Sequence, residues 1–327
     1  MKTVIITGWK GFIGSHVTLS CLNKGWKVLG YDKCTRVSLP NSSGIIRSIN
    51  SCHNFSSKDV DICDLEYIPD CDYIINVAAE SHVGNSIIDC QSFIRSNIDG
   101  VRNILTLINN KPSNVRKRPI LLHFSTDEVY GDTVDDSFTE NCMLNPSNPY
   151  AASKSSADML IKSWHRTYGT EYIIVRPTNN YGKYQYPEKL IPLCVKLIES
   201  KHKVRLHDQG EPIRSWLHVE DTSDAIMKII ESGVTNEIYN IGSNEEIKNI
   251  EVATMIVNSL EGRTDVTSPL SPVRRKMYFE LNYTRPGQDV RYSVDDSKLR
   301  ALGWKPKRKF SKHIYEIVQH YKSNWRW

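Results

Sequence analysis

Tyr150 and Lys154 stand four residues apart in the run NPYAASKSSAD, a spacing that places two side chains on one face of a helix. An ammonium held beside a phenol favours the phenolate, so Lys154 is expected to lower Tyr150 from its ordinary value near 10. A tyrosinate near neutral pH can take a hydroxyl proton while the carbinol hydrogen leaves as hydride to a bound oxidant. Taken alone, Tyr-x-x-x-Lys describes any partly buried helix face. Upstream, Ser125, Thr126, Asp127 and Glu128 end the apolar run of HFSTDEVYG. Neighbouring acids on a regular strand face opposite ways, so both meet one ligand only if the backbone bends there. Two adjacent acids are otherwise a solvated loop.

The start of the chain suggests the oxidant. In ITGWKGFIGSH, Gly8, Gly11 and Gly14 fall at the turn from the first apolar run into a helix. One glycine permits the tight turn, a second lets backbone N–H groups approach a pyrophosphate, and a third lets the helix pack on the sheet. The helix N-terminus adds partial positive charge for the phosphates. The spacing is G-x-x-G-x-x-G instead of the commoner G-x-G-x-x-G, and a glycine triplet alone is a weak signal. Asp32, 18 residues beyond Gly14, ends the next apolar run. A carboxylate there binds both adenine-ribose hydroxyls and repels a 2′-phosphate, which favours NAD over NADP; Arg36 is the nearby charge that argues the other way. Asp61 and Ile62 follow a short extended segment, where the acid either meets the adenine edge or sits in a loop. Ala78 and Ala79 are small where a cofactor would pass closely.

Short apolar runs at 2–7, 26–31, 73–77, 120–124 and 172–175 alternate with helix-period segments at 12–24, 93–109 and 150–168. That rhythm predicts an α/β fold, a Rossmann-like doubly wound parallel sheet covered on both faces. Ligands of such sheets bind at the carboxyl ends of the strands, where Ser125 to Glu128 fall. Residues 33–57 read as a loop or small excursion and 131–149 as a surface loop by their Ser, Asn and Pro content. After residue 180 the alternation loosens, with helices expected at 190–200, 219–231 and 250–261 and strands at 204–207 and 238–241. Residues 1–180 are expected to form the NAD-binding domain carrying the catalytic residues. Residues 181–327 are expected to be mainly a smaller α/β substrate lobe, some of whose strands and helices can return to the first.

Composition narrows the class. The 327 residues are 39% hydrophobic and 24% charged, ordinary for a globular protein. Lys+Arg 42 against Asp+Glu 37 gives +5, too dispersed a charge to argue for nucleic acid. The basic runs Arg116–Arg118, Arg274–Lys276 and Lys305–Lys309 read as solvated loop faces. No apolar run nears the ~18 residues of a membrane helix. The eight cysteines include no CxxC pair and read as reduced thiols of a cytoplasmic protein, without disulfides or a metal site.

The order of these blocks resembles the extended short-chain dehydrogenases/reductases, and among them the nucleoside-diphosphate-glucose 4,6-dehydratases of the dTDP-glucose type. ITGWKGFIGSH, AAESHV, HFSTDEVYGD, NPYAASKSSAD, NNYGKYQYPEKLIP, GEPIRSWLHVED, YNIGSNEE and RPGQDVRY are similar to family blocks in family order. The resemblance implies Tyr150 and Lys154 as the redox pair, Thr126 on the sugar 4-hydroxyl, Asp127 as general acid and Glu128 as general base. It implies Phe12, Ile13, Asp32, Asp61, Ile62, Ala79, Ser81 and Lys154 around NAD. For the substrate it implies Asn179, Glu188, Lys189, Leu190, Arg214, Asn249, Arg285 and Arg291, arginine suiting phosphate by its planar fork. The chain departs from the pattern after AAESHV, where Gly84 and Asn85 replace an acid and an arginine. The implied activity is conversion of dTDP-glucose or UDP-glucose to its 4-keto-6-deoxy nucleotide, a step toward rhamnose or another deoxysugar, by a homodimer. A 4-epimerase of the same superfamily shares the glycine turn and the Tyr/Lys pair but has no use for Asp127 and Glu128. A non-catalytic nucleotide-sugar or NAD(H)-binding protein has no use for any of the four.

Overall fold

The apolar runs pair side by side in a computed structural model that describes residues 1–111, 118–232 and 234–324. The strands are β1 (Thr3–Thr7), β2 (Lys27–Asp32), β3 (Phe55–Asp59), β4 (Tyr73–Asn76), β5 (Ile120–Phe124), β6 (Tyr172–Pro177), β7 (Asn179–Tyr181), β8 (Val204–His207), β9 (Ile213–His218), β10 (Glu237–Ile241), β11 (Glu246–Lys248) and β12 (Phe279–Tyr283). Seven form one sheet in the order β10-β6-β5-β4-β1-β2-β3, and every pairing in it is parallel. β4 and β5 are buried along their whole length, as apolar strands covered on both faces must be. Alternate residues serve opposite layers. Val4, Ile6, Ile75 and Leu122 pack with Val17 and Ile226 on one side. Ile5, Ile74, Leu121 and Ile174 pack with Val101, Leu105 and Ile161 on the other. The expected fold class is the observed one.

Three local readings need correction. Residues 33–57 contain a helix, Gly44–Asn50, and the start of β3. The helix is short but buries Ile45, Ile46 and Ile49, while β3 (FSSKD) is an exposed edge strand with little apolar signal. The expected helix 93–109 is broken: Gln91–Phe93 leads into a π-helical stretch, Ile94–Asp99, before the α-helix Gly100–Asn109. There Asn97 turns inward, accepting from Glu80 N–H and donating to Ser153 Oγ, both at 2.9 Å, in keeping with the occurrence of π-bulges near functional sites. Of the basic runs, Arg274–Lys276 lies within the helix Pro272–Tyr278, and Arg308 pairs with buried Asp221 at 2.6 Å. Arg116 and Lys117 lie outside the described residues.

Beyond residue 180 the chain does two things. The helix Val219–Ser232 and β10 return to the large sheet and its core. The rest builds a second core from β7, β8, β9 and the helices Leu190–Glu199, Asn249–Leu260 and Phe310–Ser323, with Tyr181, Trp216 and Phe310 in contact at its centre. Among the described residues no helix is long and apolar enough to cross a membrane.

Candidate active site

A single cleft runs along the carboxyl edge of the large sheet, from the β1 turn past β2 and β4 to the ends of β5 and β6. At its first end Gly8 has φ +69, and a Cβ there would lie 2.8 Å from the Ala78 backbone. A Cβ on Gly14 would stand 2.0 Å from the Gly8 carbonyl oxygen. Backbone packed this closely leaves the helix Phe12–Asn23 opening directly on the cleft, with Gly8, Gly11, Phe12 and Ile13 on its wall. Gly14 lies beneath the turn. Asp32 accepts from Lys10 N–H at 3.0 Å, Cys34 N–H at 2.8 Å and Ser38 Oγ at 2.8 Å, which fixes its carboxylate on the wall with acceptor capacity left. Asp61, Ile62, Ala79 and Ser81 line the same side. A glycine cradle, a helix N-terminus and a fixed acid together fit a dinucleotide.

At the other end, Thr126 caps a 3-10 turn, Asp127–Tyr130, its hydroxyl accepting from Glu128 N–H. This is the bend the adjacent acids need, and Thr126, Asp127 and Glu128 all reach the cleft. Burial, with Glu128 beside it, pushes Asp127 up to about 7. Its Oδ2 has no partner among the described residues. Burial raises Glu128 as well, against the pull of Arg214 and Lys189. Burial thus favours the protonated form of both acids, and the charge of Glu128 adds to the effect on Asp127.

Tyr150 and Lys154 also line the cleft, but the expected effect of one on the other is not seen. Burial and the charge of Glu128 raise Tyr150 well above its ordinary value, with only Thr126 favouring the phenolate. Lys154 Nζ is turned away, donating to the Phe124 carbonyl at 2.5 Å and lying 3.4 Å from His123 Nε2. Burial brings this lysine down to about 8, Asp158 opposing. Behind it a polar chain crosses the sheet: His123 Nδ1 meets Asn76 at 2.9 Å, and Asn76 accepts from Thr7 at 2.6 Å. Asp158 is itself buried, taking Ser125 Oγ at 3.0 Å and Arg176 Nε and Nη2 at 3.0 and 2.9 Å.

Of the residues expected at the substrate, Asn179, Glu188 and Lys189 lie on the cleft wall. Leu190, Arg214, Asn249, Arg285 and Arg291 do not. Leu190 packs on the second core, and Asn249 starts a helix with its N–H on the Pro212 carbonyl. Arg214 lies over the Tyr292 ring and donates to backbone carbonyls of 289 and 290. Arg291 is forked onto Glu246 at 2.7 and 3.0 Å. Arg285 has a buried Nε without a partner among the described residues. The sequence reading passed over Asn148 and Tyr292, each of which donates to Glu128 Oε2 at 3.4 Å. Tyr292 also bonds Asp289, which accepts from Ser147 at 2.5 Å. Both belong to quoted blocks, NPYAASKSSAD and RPGQDVRY, and that membership was the available signal.

The model of the family described as GDP-mannose 4,6-dehydratase matches residues 5–317. A dTDP-glucose 4,6-dehydratase of Neisseria meningitidis serogroup B is 38% identical, the match covering 100% of this chain and 95% of the relative. The structure of DesIV, a dTDP-glucose 4,6-dehydratase from Streptomyces venezuelae solved with NAD, superposes with a TM-score of 0.87 at 32% identity, covering 98% of this chain and 97% of that one. A UDP-glucuronic acid 4-epimerase from Bacillus cereus superposes with a TM-score of 0.86 at 22% identity, a likeness of fold.

Proposed function

The chain belongs to the GDP-mannose 4,6-dehydratase family, and from that membership we propose that it is an NAD-dependent nucleotide-sugar 4,6-dehydratase acting on dTDP-glucose or UDP-glucose. Its relatives' names favour dTDP-glucose. The observation that carries the reading is the placing of two acids, Asp127 and Glu128, in the same cleft as Tyr150 and Lys154. An epimerase needs only the second pair.

Gly8, Gly11, Phe12, Ile13, Asp32, Asp61, Ile62, Ala79, Ser81 and Lys154 hold the cofactor, with Gly14 packing the helix beneath it. When bound, NAD accepts a hydride from the sugar C4 and returns one to C6. Tyr150 takes the proton of the 4-hydroxyl while Thr126 hydrogen-bonds the same oxygen. Because burial opposes a phenolate, the step depends on Thr126, which favours that form, and Lys154 assists it only by turning its ammonium from the Phe124 carbonyl toward the phenol. A ketone at C4 acidifies the C5–H, and Glu128 removes that proton. Asp127, holding its proton near neutral pH, gives it to the departing C6 hydroxyl, and water leaves. Glu128 then returns a proton to C5. Asn148 and Tyr292 hold Glu128 in place for both transfers. Residues 1–180 supply the cofactor site and the chemistry, and residues 181–327 mainly the nucleotide-sugar site. There Asn179, Glu188 and Lys189 contact the substrate from the wall, and Leu190, Arg214, Asn249 and Arg285, which lie off that wall, reach it only by moving. Arg291 joins them only by leaving Glu246.

Incubation with each nucleotide glucose, read as the alkali-developed absorbance of a 4-keto sugar, tests the reading. The expected result is absorbance with dTDP-glucose above that with UDP-glucose. No absorbance with either contradicts the assignment.

A further inference from the structure

The wall of the cleft between β7 and the helix Leu190–Glu199 is an irregular segment, residues 182–189, with the sequence GKYQYPEK. It presents Gln185, Tyr186, Glu188 and Lys189 to the cleft. Its backbone is not self-supporting: Tyr184 has φ +71 and Gly182 φ +157. A side-chain-bearing residue in that region persists only where its surroundings hold it there. A Cβ on Gly182 would lie 2.7 Å from Val219 Cγ1, so the segment is also pressed against the first lobe.

What holds it is the helix Phe310–Ser323, remote in sequence and absent from the cleft wall. The hydroxyl of buried Tyr321 donates to the Gly182 carbonyl at 2.7 Å and accepts from Gln185 N–H at 2.8 Å. One hydroxyl thus closes both backbone groups on either side of the strained Tyr184. The neighbouring His320 packs its ring on Tyr184 with centroids 4.8 Å apart, and Glu316 pairs with Lys183. Two successive turns of one helix therefore grip four successive residues, 182–185, of the segment.

We infer that Tyr321 is a positioning residue for substrate binding, acting through residues 182–189. The inference rests on the proposed function only for the identity of the substrate. Removing the hydroxyl leaves the buried Gly182 C=O and the part-buried Gln185 N–H without this partner, so the segment shifts and the substrate wall loosens. The NAD cradle and the β5 acids sit on other elements and keep their places. Tyr321→Phe is therefore expected to raise KM for the nucleotide sugar about tenfold, to hold kcat within about threefold, and to leave bound NAD per chain unchanged. His320→Ala removes only the ring against Tyr184, and is expected to raise KM about threefold in the same pattern. A purely structural role would lower active fraction, and so kcat, without moving KM. Unchanged KM in folded Tyr321→Phe overturns the inference; if that variant does not fold, unchanged KM in His320→Ala overturns it. If wild-type protein yields no keto sugar, the functional reading fails. The positioning role is then judged by amide hydrogen exchange in Tyr321→Phe: deprotection centred on 182–189 supports it, and unchanged exchange there overturns it.

Discussion

Asp127 is the residue whose environment speaks most directly for a chemical role. Its folded value of about 7 against an ordinary 3.8 means the native state binds the extra proton. The sign follows: a group raised on folding costs stability as pH climbs from about 4 to about 7, and the full cost persists above that. Asp127→Asn keeps the shape and removes the ionisation. It is expected to raise unfolding stability by about 4 kcal/mol at pH 8 and by little at pH 4, while abolishing water loss. Urea unfolding at both pH values checks this, and an equal change at the two would contradict a buried, raised acid. In the intact enzyme the rate should fall as pH rises through about 7, where the acid is lost. Tyr150, Lys154, Asp127 and Glu128 were legible as a group because chemistry restricts their types and short spacing. Tyr292 was not, since it reaches Glu128 from 164 residues away. Nor was the direction of Lys154: spacing fixes a shared helix face, whereas the competing Phe124 carbonyl comes from the strand β5.

At the scale of elements, the glycine turn is the junction on which the cofactor half of the cleft depends. Gly14→Ala places a methyl within 2.0 Å of the Gly8 carbonyl, a distance no relaxation of side chains can relieve. The helix Phe12–Asn23 must move off the sheet, and its N-terminus leaves the phosphate position. The expected outcome is a drop in bound NAD of about tenfold or more, with the parallel sheet intact by circular dichroism; full NAD content would contradict the role given to this turn. The elements read well from sequence are those buried on both faces, β1, β4, β5 and β6, whose apolar runs admit one interpretation. β3 escaped because its polar residues face solvent at a sheet edge. The helix Phe310–Ser323, although amphipathic, was not read, and the small-lobe strands β7 and β11 are three residues each, too short for period to register. Their pairing is tertiary, as is the π-helical stretch that turns Asn97 inward.

For the whole molecule, the face left open by the helix Pro149–Tyr168 bears on assembly. Ala152, Ser156, Met159 and Ser163 are all exposed, as are Ile88 and Ile94, whereas Val101, Ile104, Leu105 and Ile108 of the helix Gly100–Asn109 are consumed by the core. We propose that this face pairs two copies, an obligate contact of this kind burying more than ~2,000 Å². Light scattering should give about twice 37.5 kDa, and a monomer mass with full activity would refute the pairing alone. The central claim concerns what one molecule does with its four active-site groups: oxidation at C4 by NAD, with Tyr150 taking the hydroxyl proton and Lys154 beside it, makes possible an elimination by Asp127 and Glu128. It is tested most directly by running dTDP-glucose turnover in heavy water and weighing the product. If Glu128 removes the C5 proton, exchanges it with solvent and then protonates C5, the product has lost one water and carries solvent deuterium at C5. A product of unchanged mass, or one that has lost water with no deuterium at C5, would contradict the account.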